Sequence, residues 1–213
     1  MDVRELWRYP VKSLRGEQLD TAELLPGGIP GDRAIHVQAA NGRIVTARTH
    51  PGLLGLNGNL GEDGEPTVNG EPWDSPASQQ AIVEVAGTGA ALRRSHGQSF
   101  DVLPLSILSD GAIAALGVDH RRLRPNVVIG GVEGLAERGW PGRQMLIGET
   151  IVQLVKLRER CVMPTYDPDT LEQELGVLRR IVRDFNGVLS LDAFVLRGGR
   201  VRVGDSVRLL DAA

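Results

Sequence analysis

Cysteine is almost missing from this chain. Cys161 stands alone among 213 residues, so an intrachain disulfide framework is excluded, which suits a reducing compartment. Positive charge is not in excess either: 24 Lys and Arg against 27 Asp and Glu leave a net charge of −3. That argues against general nucleic-acid binding, which needs a strongly basic face, so any anion site must be local. No apolar run approaches the roughly 20 residues that span a bilayer. The opening Met1-Asp2-Val3-Arg4-Glu5-Leu6-Trp7 has no signal-peptide pattern and reads directly as a strand. The expectation is a cytoplasmic protein with no membrane and no nucleic-acid partner. Common catalytic signatures are also missing: there is no Walker A sequence and no G-x-S-x-G elbow, and Gly87-Thr88-Gly89 lacks the third glycine of a dinucleotide fingerprint. His36, His50, His96 and His120 are scattered without i,i+4 pairing or cysteine partners, which argues against zinc. No internal repeat or low-complexity linker is found.

What is plentiful is glycine, at 27 residues with 12 prolines, among short apolar runs. That is the pattern of many strands joined by tight turns. Strands are expected at 3–9, 18–24, 34–38, 43–46, 81–85, 91–94, 127–129, 144–147, 150–157, 188–196 and 201–210. Asn41-Gly42 and Asn69-Gly70 are hairpin signals, because both residue types tolerate positive φ. Ser109–Leu116 reads as a short capped helix ended by Gly117. The clearest helix is expected over Leu171–Phe185, with Thr170 and Gln173 spaced as a capping box and Leu171, Leu175, Leu178, Val182 and Phe185 along one face. His96–Phe100 is the expected seam, since strands dominate before it and helices appear after it. The whole reads as a β-barrel-rich α+β protein of two interlocked parts.

The chemistry gathers around Arg158-Glu159-Arg160-Cys161-Val162-Met163-Pro164. A lone cysteine is ordinarily a small buried hydrophobe, but two nearby arginines and a rigid turn favour a thiolate, which is a nucleophile and a soft metal ligand. Asp167-Pro168-Asp169 reads as an Asx-type turn rather than a metal pair. A Cys-His-Asp hydrolase is weakly supported, because nothing selects a histidine. Basic and small polar residues recur where strands meet turns: Lys12-Ser13, Gly31-Asp32-Arg33 and Arg124-Pro125-Asn126. Together with Arg158 and Arg160 they can converge on a polyanion, and backbone N–H groups near Gly130-Gly131 can add an anion nest.

The ordered set Tyr9-Pro10-Val11-Lys12-Ser13, Gly31-Asp32-Arg33, Val45-Thr46-Ala47-Arg48, Arg124-Pro125-Asn126, the run Arg160–Thr170 and Val201–Val207 resembles the MOSC family over nearly the whole chain. It looks most like the branch with an N-terminal MOSC β-barrel domain, which includes the mitochondrial amidoxime-reducing component and its bacterial relatives. The resemblance implies a mostly β, α+β fold: a MOSC-type β-barrel (96–213), an N-terminal β-barrel-like domain (1–95) and a few short helices. It implies a molybdenum cofactor, Mo-molybdopterin, with Cys161 as the protein's metal ligand and catalytic residue. Lys12, Ser13 and Arg33 match residues that hold the phosphate and pterin, Arg124 and Asn126 match a further binding pair, and Ser109 matches a serine contact. Thr46, Arg48, Glu159 and Arg160 would lie close by, with Arg160 among the cofactor-binding residues. The implied activity is reduction of N-hydroxylated compounds: amidoximes, hydroxylamines or N-hydroxylated bases. Asp167 or Tyr166 would relay protons. Some relatives carry an iron–sulfur domain; the sequence to Ala213 offers no cysteines for one, so electrons are expected from a separate ferredoxin- or cytochrome-type donor. Two other readings stay open: a sulfur carrier using a Cys161 persulfide, against which the lack of a pyridoxal-phosphate domain counts, and a non-catalytic cofactor carrier. Pyridoxal phosphate binding is a further family-level association. One departure is clear: relatives often carry glycine after the Asp-Pro-x-Thr turn, where Leu171 stands here.

Overall fold

In the computed structural model, which describes residues 1–95 and 100–210, short strands dominate and many are joined by glycine, proline or Asn-Gly turns. The chain opens with β1 (Asp2–Arg8), β2 (Glu17–Leu19) and β3 (Thr21–Leu24), then β4 (Ile35–Gln38), β5 (Ile44–Val45), β6 (Gly58–Leu60), β7 (Pro66–Val68) and β8 (Glu71–Pro72). Helix α1 (Pro76–Ala86) and β9 (Ala91–Arg94) complete the first half. The second half runs β10 (Leu105–Ser109), α2 (Asp110–Leu116), β11 (Val127–Gly130), β12 (Gln144–Ile147), β13 (Thr150–Glu159), α3 (Leu175–Phe185), β14 (Val188–Arg197), β15 (Gly199–Arg202) and β16 (Val207–Leu209). The protein is mostly β, with three α-helices among the described residues.

Eight strands form one sheet in the order β16-β12-β13-β14-β10-β11-β1-β2. The start of β1 also bonds the turn before β16, Val3 N–H to Asp205 C=O at 2.9 Å and Val207 N–H to Met1 C=O at 2.9 Å. The sheet thereby curls back on itself. Its inside is lined by Val3, Leu6, Ile107, Val127, Met145, Val152, Leu191 and their neighbours. A second core lies among β4, β5, β7, β9 and α1, built on Val11, Leu14, Ile35, Val37, Leu53 and Ile82. The two halves share hydrogen bonds, because β1 pairs with β11 and β3 pairs with β15.

Both Asn-Gly hairpins form: β4 pairs with β5 across Asn41-Gly42, and β7 with β8 across Asn69-Gly70, whose φ values are +53° and +88°. The capped helix at Ser109 forms too, with Ser109 Oγ accepting from Ala112 N–H and Gly117 left-handed at its end. Four expectations need correction. The expected strand 18–24 breaks at Asp20 into β2, which pairs with β1, and β3, which pairs with β15. Residues 81–85 are helix, not strand: Ser75 caps α1 by accepting from Ser78 N–H and Pro76 sits in its first turn, so a strong local start overrides the strand preference of Ile82, Val83 and Val85. The expected strand 201–210 is split by the Val203-Gly204-Asp205-Ser206 turn into β15 and β16, which pair with different partners, β3 and β12. The long helix begins at Leu175 rather than Leu171, because Leu171 takes a left-handed φ of +61° and Asp167 N–H bonds Glu172 C=O. Its buried face is Val177, Ile181 and Phe185, while Leu175 and Val182 are exposed. The expected seam lies, Phe100 excepted, outside the described residues. No helix among them is long and apolar enough to cross a membrane.

Candidate functional site: a cationic cleft beside one thiol

The first half of the cleft is made where β1 leaves the sheet. Tyr9 N–H donates to the buried Asp32 carboxylate at 2.7 Å, and Lys12 N–H donates to Ile35 C=O at 2.8 Å, so the 9–13 segment lies against the entrance to β4. Ser13 and Arg33 both take positive φ, +73° and +50°. Such conformations are costly for side-chain-bearing residues and cluster at functional sites. Ser13 is buried, and its Oγ accepts from Ala47 N–H at 3.1 Å, which leaves its own O–H proton for a ligand oxygen. Arg33 is held by Asp32 and donates to Asn126 Oδ1 at 3.2 Å.

The second half comes from the loop after α2, the end of β13 and the turn that follows it. Arg124, at φ +54°, lays its guanidinium over the Tyr9 ring at 4.2 Å, and Arg33 lies over the same ring at 4.7 Å. Gly16 makes room for that ring, since any Cβ there would collide with it. Arg158 meets the fully buried Asp192 at 2.5 Å. Arg160 donates to Leu123 C=O at 2.7 Å and Ser190 Oγ at 3.2 Å. Cys161 is half-buried and lines the same cleft as Arg48.

One cleft thus gathers Lys12, Ser13, Arg33, Thr46, Arg48, Arg122, Arg124, Arg158, Arg160 and Cys161, enclosing about 870 Å³ including its open mouth. Seven of these are cations, against two acids in the lining, Asp101 and Glu159. In a chain of net charge −3 that is a sharp local reversal. Burial pushes the Arg124 and Arg160 guanidiniums down to about 10, and neighbouring cations (Arg33 and Arg158 respectively) push the same way. Both stay charged at neutral pH, and crowded buried cations of this kind favour a nearby anion. Arg122, Arg158 and Arg160 each bury an Nε with no partner, an unusual cost for three cations around one cleft. Among the described residues no three His, Cys, Asp or Glu side chains converge as a metal site. A metal here would have Cys161 as its protein ligand and need its other ligands from a bound cofactor.

Of the residues singled out from the sequence, Lys12, Ser13, Arg33, Arg124, Arg160 and Cys161 meet in this cleft, with Thr46, Arg48 and Glu159 beside them. Asn126 does not line it: fully buried, it accepts from Ser106 N–H and Arg33 and donates to Trp7 C=O, so it positions Arg33. Ser109 does not reach it either, its hydroxyl being the cap of α2. The nest at Gly130-Gly131 is filled by the chain's own Asp110, which accepts from Gly131 and Val132 N–H. The Asx turn at Asp167 is present, with Asp169 and Thr170 N–H groups on Asp167 Oδ1. Those backbone bonds, with Arg122 nearby, hold the Asp167 carboxyl below its ordinary range, which makes it a poor proton carrier near neutrality. Arg122 and Asp101 carry no sequence signal, yet both line the cleft. A more apolar pocket, lined by Trp7, Tyr9, Leu54, Tyr166 and Pro168, abuts the cleft through Arg122, Arg124 and Met163.

Comparison with known proteins bears on this arrangement. The family model described as MOSC domain matches residues 103–208, and that described as MOSC N-terminal beta barrel domain matches residues 1–100. Human mitochondrial amidoxime-reducing component 1 is 27% identical over 285 aligned positions, covering 98% of this chain and 82% of its own. Human mitochondrial amidoxime reducing component 2 is 25% identical over 278, covering 96% and 82%. Among solved structures, the YuaD protein from Bacillus subtilis aligns over 98% of this chain and 94% of its own, at 15% identity and a TM-score of 0.49.

Proposed function

The chain belongs to the MOSC family, in the two-part form that joins an N-terminal β-barrel domain to a MOSC domain, and from that premise we propose that it is a molybdenum-cofactor-dependent reductase of N-hydroxylated compounds. The observation that carries this reading is the seven-cation cleft closed by one thiol. A phosphorylated pterin needs oxygen-directed donors, which the cleft-lining cations Lys12, Arg33, Arg48, Arg124, Arg158 and Arg160 supply. A molybdenum ion held by dithiolene sulfurs accepts a further thiolate, and Cys161 is the only cysteine. When bound, such a cofactor supplies two-electron redox chemistry at its metal. The protein's own contribution is to grip the anion, orient the thiol and keep solvent from the cleft floor. The substrate's N–O group would approach beside Cys161, and the apolar pocket past Met163 would take its hydrocarbon body. Electrons would come from a separate donor protein.

Full-length protein made in a molybdopterin-competent host tests this. Metal and pterin analysis should find stoichiometric molybdenum and pterin in the wild type, with amidoxime reduction when a donor is supplied. Cys161→Ala should lose the metal and the activity. Wild type free of molybdenum after reconstitution, or Cys161→Ala with undiminished metal and turnover, would refute the proposal; persulfide on Cys161 without molybdenum would replace it with sulfur transfer.

A further inference from the structure

Two of the cleft's cations are answered from an unexpected place. Asp101 lies between the two family matches, which end at residue 100 and begin at residue 103. Its Oδ1 accepts from Lys12 Nζ at 2.7 Å and its Oδ2 from Arg48 at 2.7 Å. The residue before it, Phe100, lies over the Arg33 guanidinium at 5.9 Å. Phe100, Asp101, Val102 and Leu103 all line the cleft, so these four residues are laid across it as a strap. A carboxylate gripped through both oxygens by a lysine and an arginine copies the oxygens of a phosphate monoester. Burial would raise the Asp101 pKa, but the Lys12 hydrogen bond and the charges of Lys12, Arg48 and Arg158 outweigh it and leave it lowered. The carboxylate is therefore ionised wherever a phosphate would compete with it. The contact is also reversible by design of its surroundings: the Asp101 side chain is 40% exposed and that of Arg48 45%, so neither is locked by packing. Ion pairs this exposed are weak.

We propose that Asp101 is an internal stand-in for the ligand's phosphate, holding Lys12 and Arg48 together in the unliganded protein and yielding them when a phosphate-bearing ligand enters. The identity of that ligand as a pterin phosphate rests on the function proposed above; the competition itself does not. Its consequence is that Asp101 sets how tightly this end of the cleft holds any dianion. One exposed contact to Arg48 and one to the more buried Lys12, whose side chain is 14% exposed, predict that Asp101→Asn binds inorganic phosphate about fivefold to tenfold more tightly.

Calorimetric titration of the full chain with inorganic phosphate, at fixed ionic strength and from a host unable to make molybdopterin, reads this directly. Asp101→Asn should gain affinity, Asp101→Glu should bind like wild type, and the gain should vanish when Lys12→Met is added, because the released partner is then absent. Unchanged or weaker phosphate binding by a folded Asp101→Asn overturns the proposal. Pterin retention by the same variants from a competent host separates the two readings. A phosphate gain in a protein that never retains pterin refutes the cofactor and leaves Asp101 as the stand-in. Pterin retained without any phosphate gain does the reverse.

Discussion

Tyr9 does more at this site than fill space. Its ring lies beneath two guanidiniums, Arg124 and Arg33, and its hydroxyl donates to Pro125 C=O at 3.1 Å. A ring face carries a negative quadrupole, so it partly offsets the repulsion of two buried cations placed against it. Burial, despite those two cations, pushes the Tyr9 phenol up to about 12. The folded pKa lies above the ordinary value, so the neutral phenol's contribution is fully present below pH 10 and is lost as pH climbs from 10 toward 12. A shift of that size corresponds to about 2–3 kcal/mol at full loss. Phenolate absorbance on alkaline titration should show a late component that coincides with unfolding and is missing in Tyr9→Phe. A Tyr9 phenolate that appears near pH 10 in folded protein would contradict the buried, cation-capped ring.

At the scale of the element, Leu171 decides how the segment after Cys161 turns. Its φ of +61° ends the Asx turn and delays α3 to Leu175. Glycine takes that conformation without steric cost, so the glycine that the family resemblance leads one to expect here would suit the same turn. The two placements of the helix start give opposite orders. In a left-handed turn, Leu171→Gly should unfold near wild type or later, because lost side-chain packing and relieved strain offset. Leu171→Val should cost about 1–2 kcal/mol, because a β-branched side chain is poorly tolerated there. Were Leu171 the first helical residue, Val would be tolerated and Gly would cost about 1 kcal/mol. Urea denaturation of the two variants separates the cases. The same contrast explains what the sequence discloses. Asn41-Gly42, Asn69-Gly70 and Ser109 with Gly117 act within a few residues of themselves, so hairpins and the α2 cap are readable directly. Leu171 carries no such mark, since leucine is among the best helix formers and only its setting makes it left-handed. Ile82 and Val83 misread as strand because the Ser75-Pro76 start lies outside the apolar window. In the site, the thiol and the turn cations are legible as chemistry, and their convergence enters through family likeness. Arg122 is not legible: its buried link to Thr165 C=O at 3.2 Å and Asp167 at 2.8 Å is purely tertiary.

For the whole molecule, the question is what the strap at Phe100–Leu103 joins. The proposed division at residue 95 separates two stretches of chain that share hydrogen bonds across it. Val3, Leu6, Leu24 and Ile29 are buried in the same core as Leu105, Ile107, Val127 and Leu191. The cleft is likewise divided, with Lys12, Ser13, Arg33 and Arg48 from the first stretch and Arg122, Arg124, Arg158, Arg160 and Cys161 from the second. The first stretch has a core largely its own, from Val11, Leu14, Ile35 and Leu53 to Ile82 and Leu92. The second does not close without β1. Four large side chains at about 1.5–3 kcal/mol each amount to about 6–12 kcal/mol, comparable with the about 5–15 kcal/mol that holds a whole domain. A fragment of residues 101–213 should therefore show no cooperative thermal transition alone, and should regain one, together with phosphate binding, when co-expressed with residues 1–100. A sharp transition from the isolated second fragment would mean that its barrel closes without β1, and that the cleft is a joint between two finished domains instead of a seam within one fold.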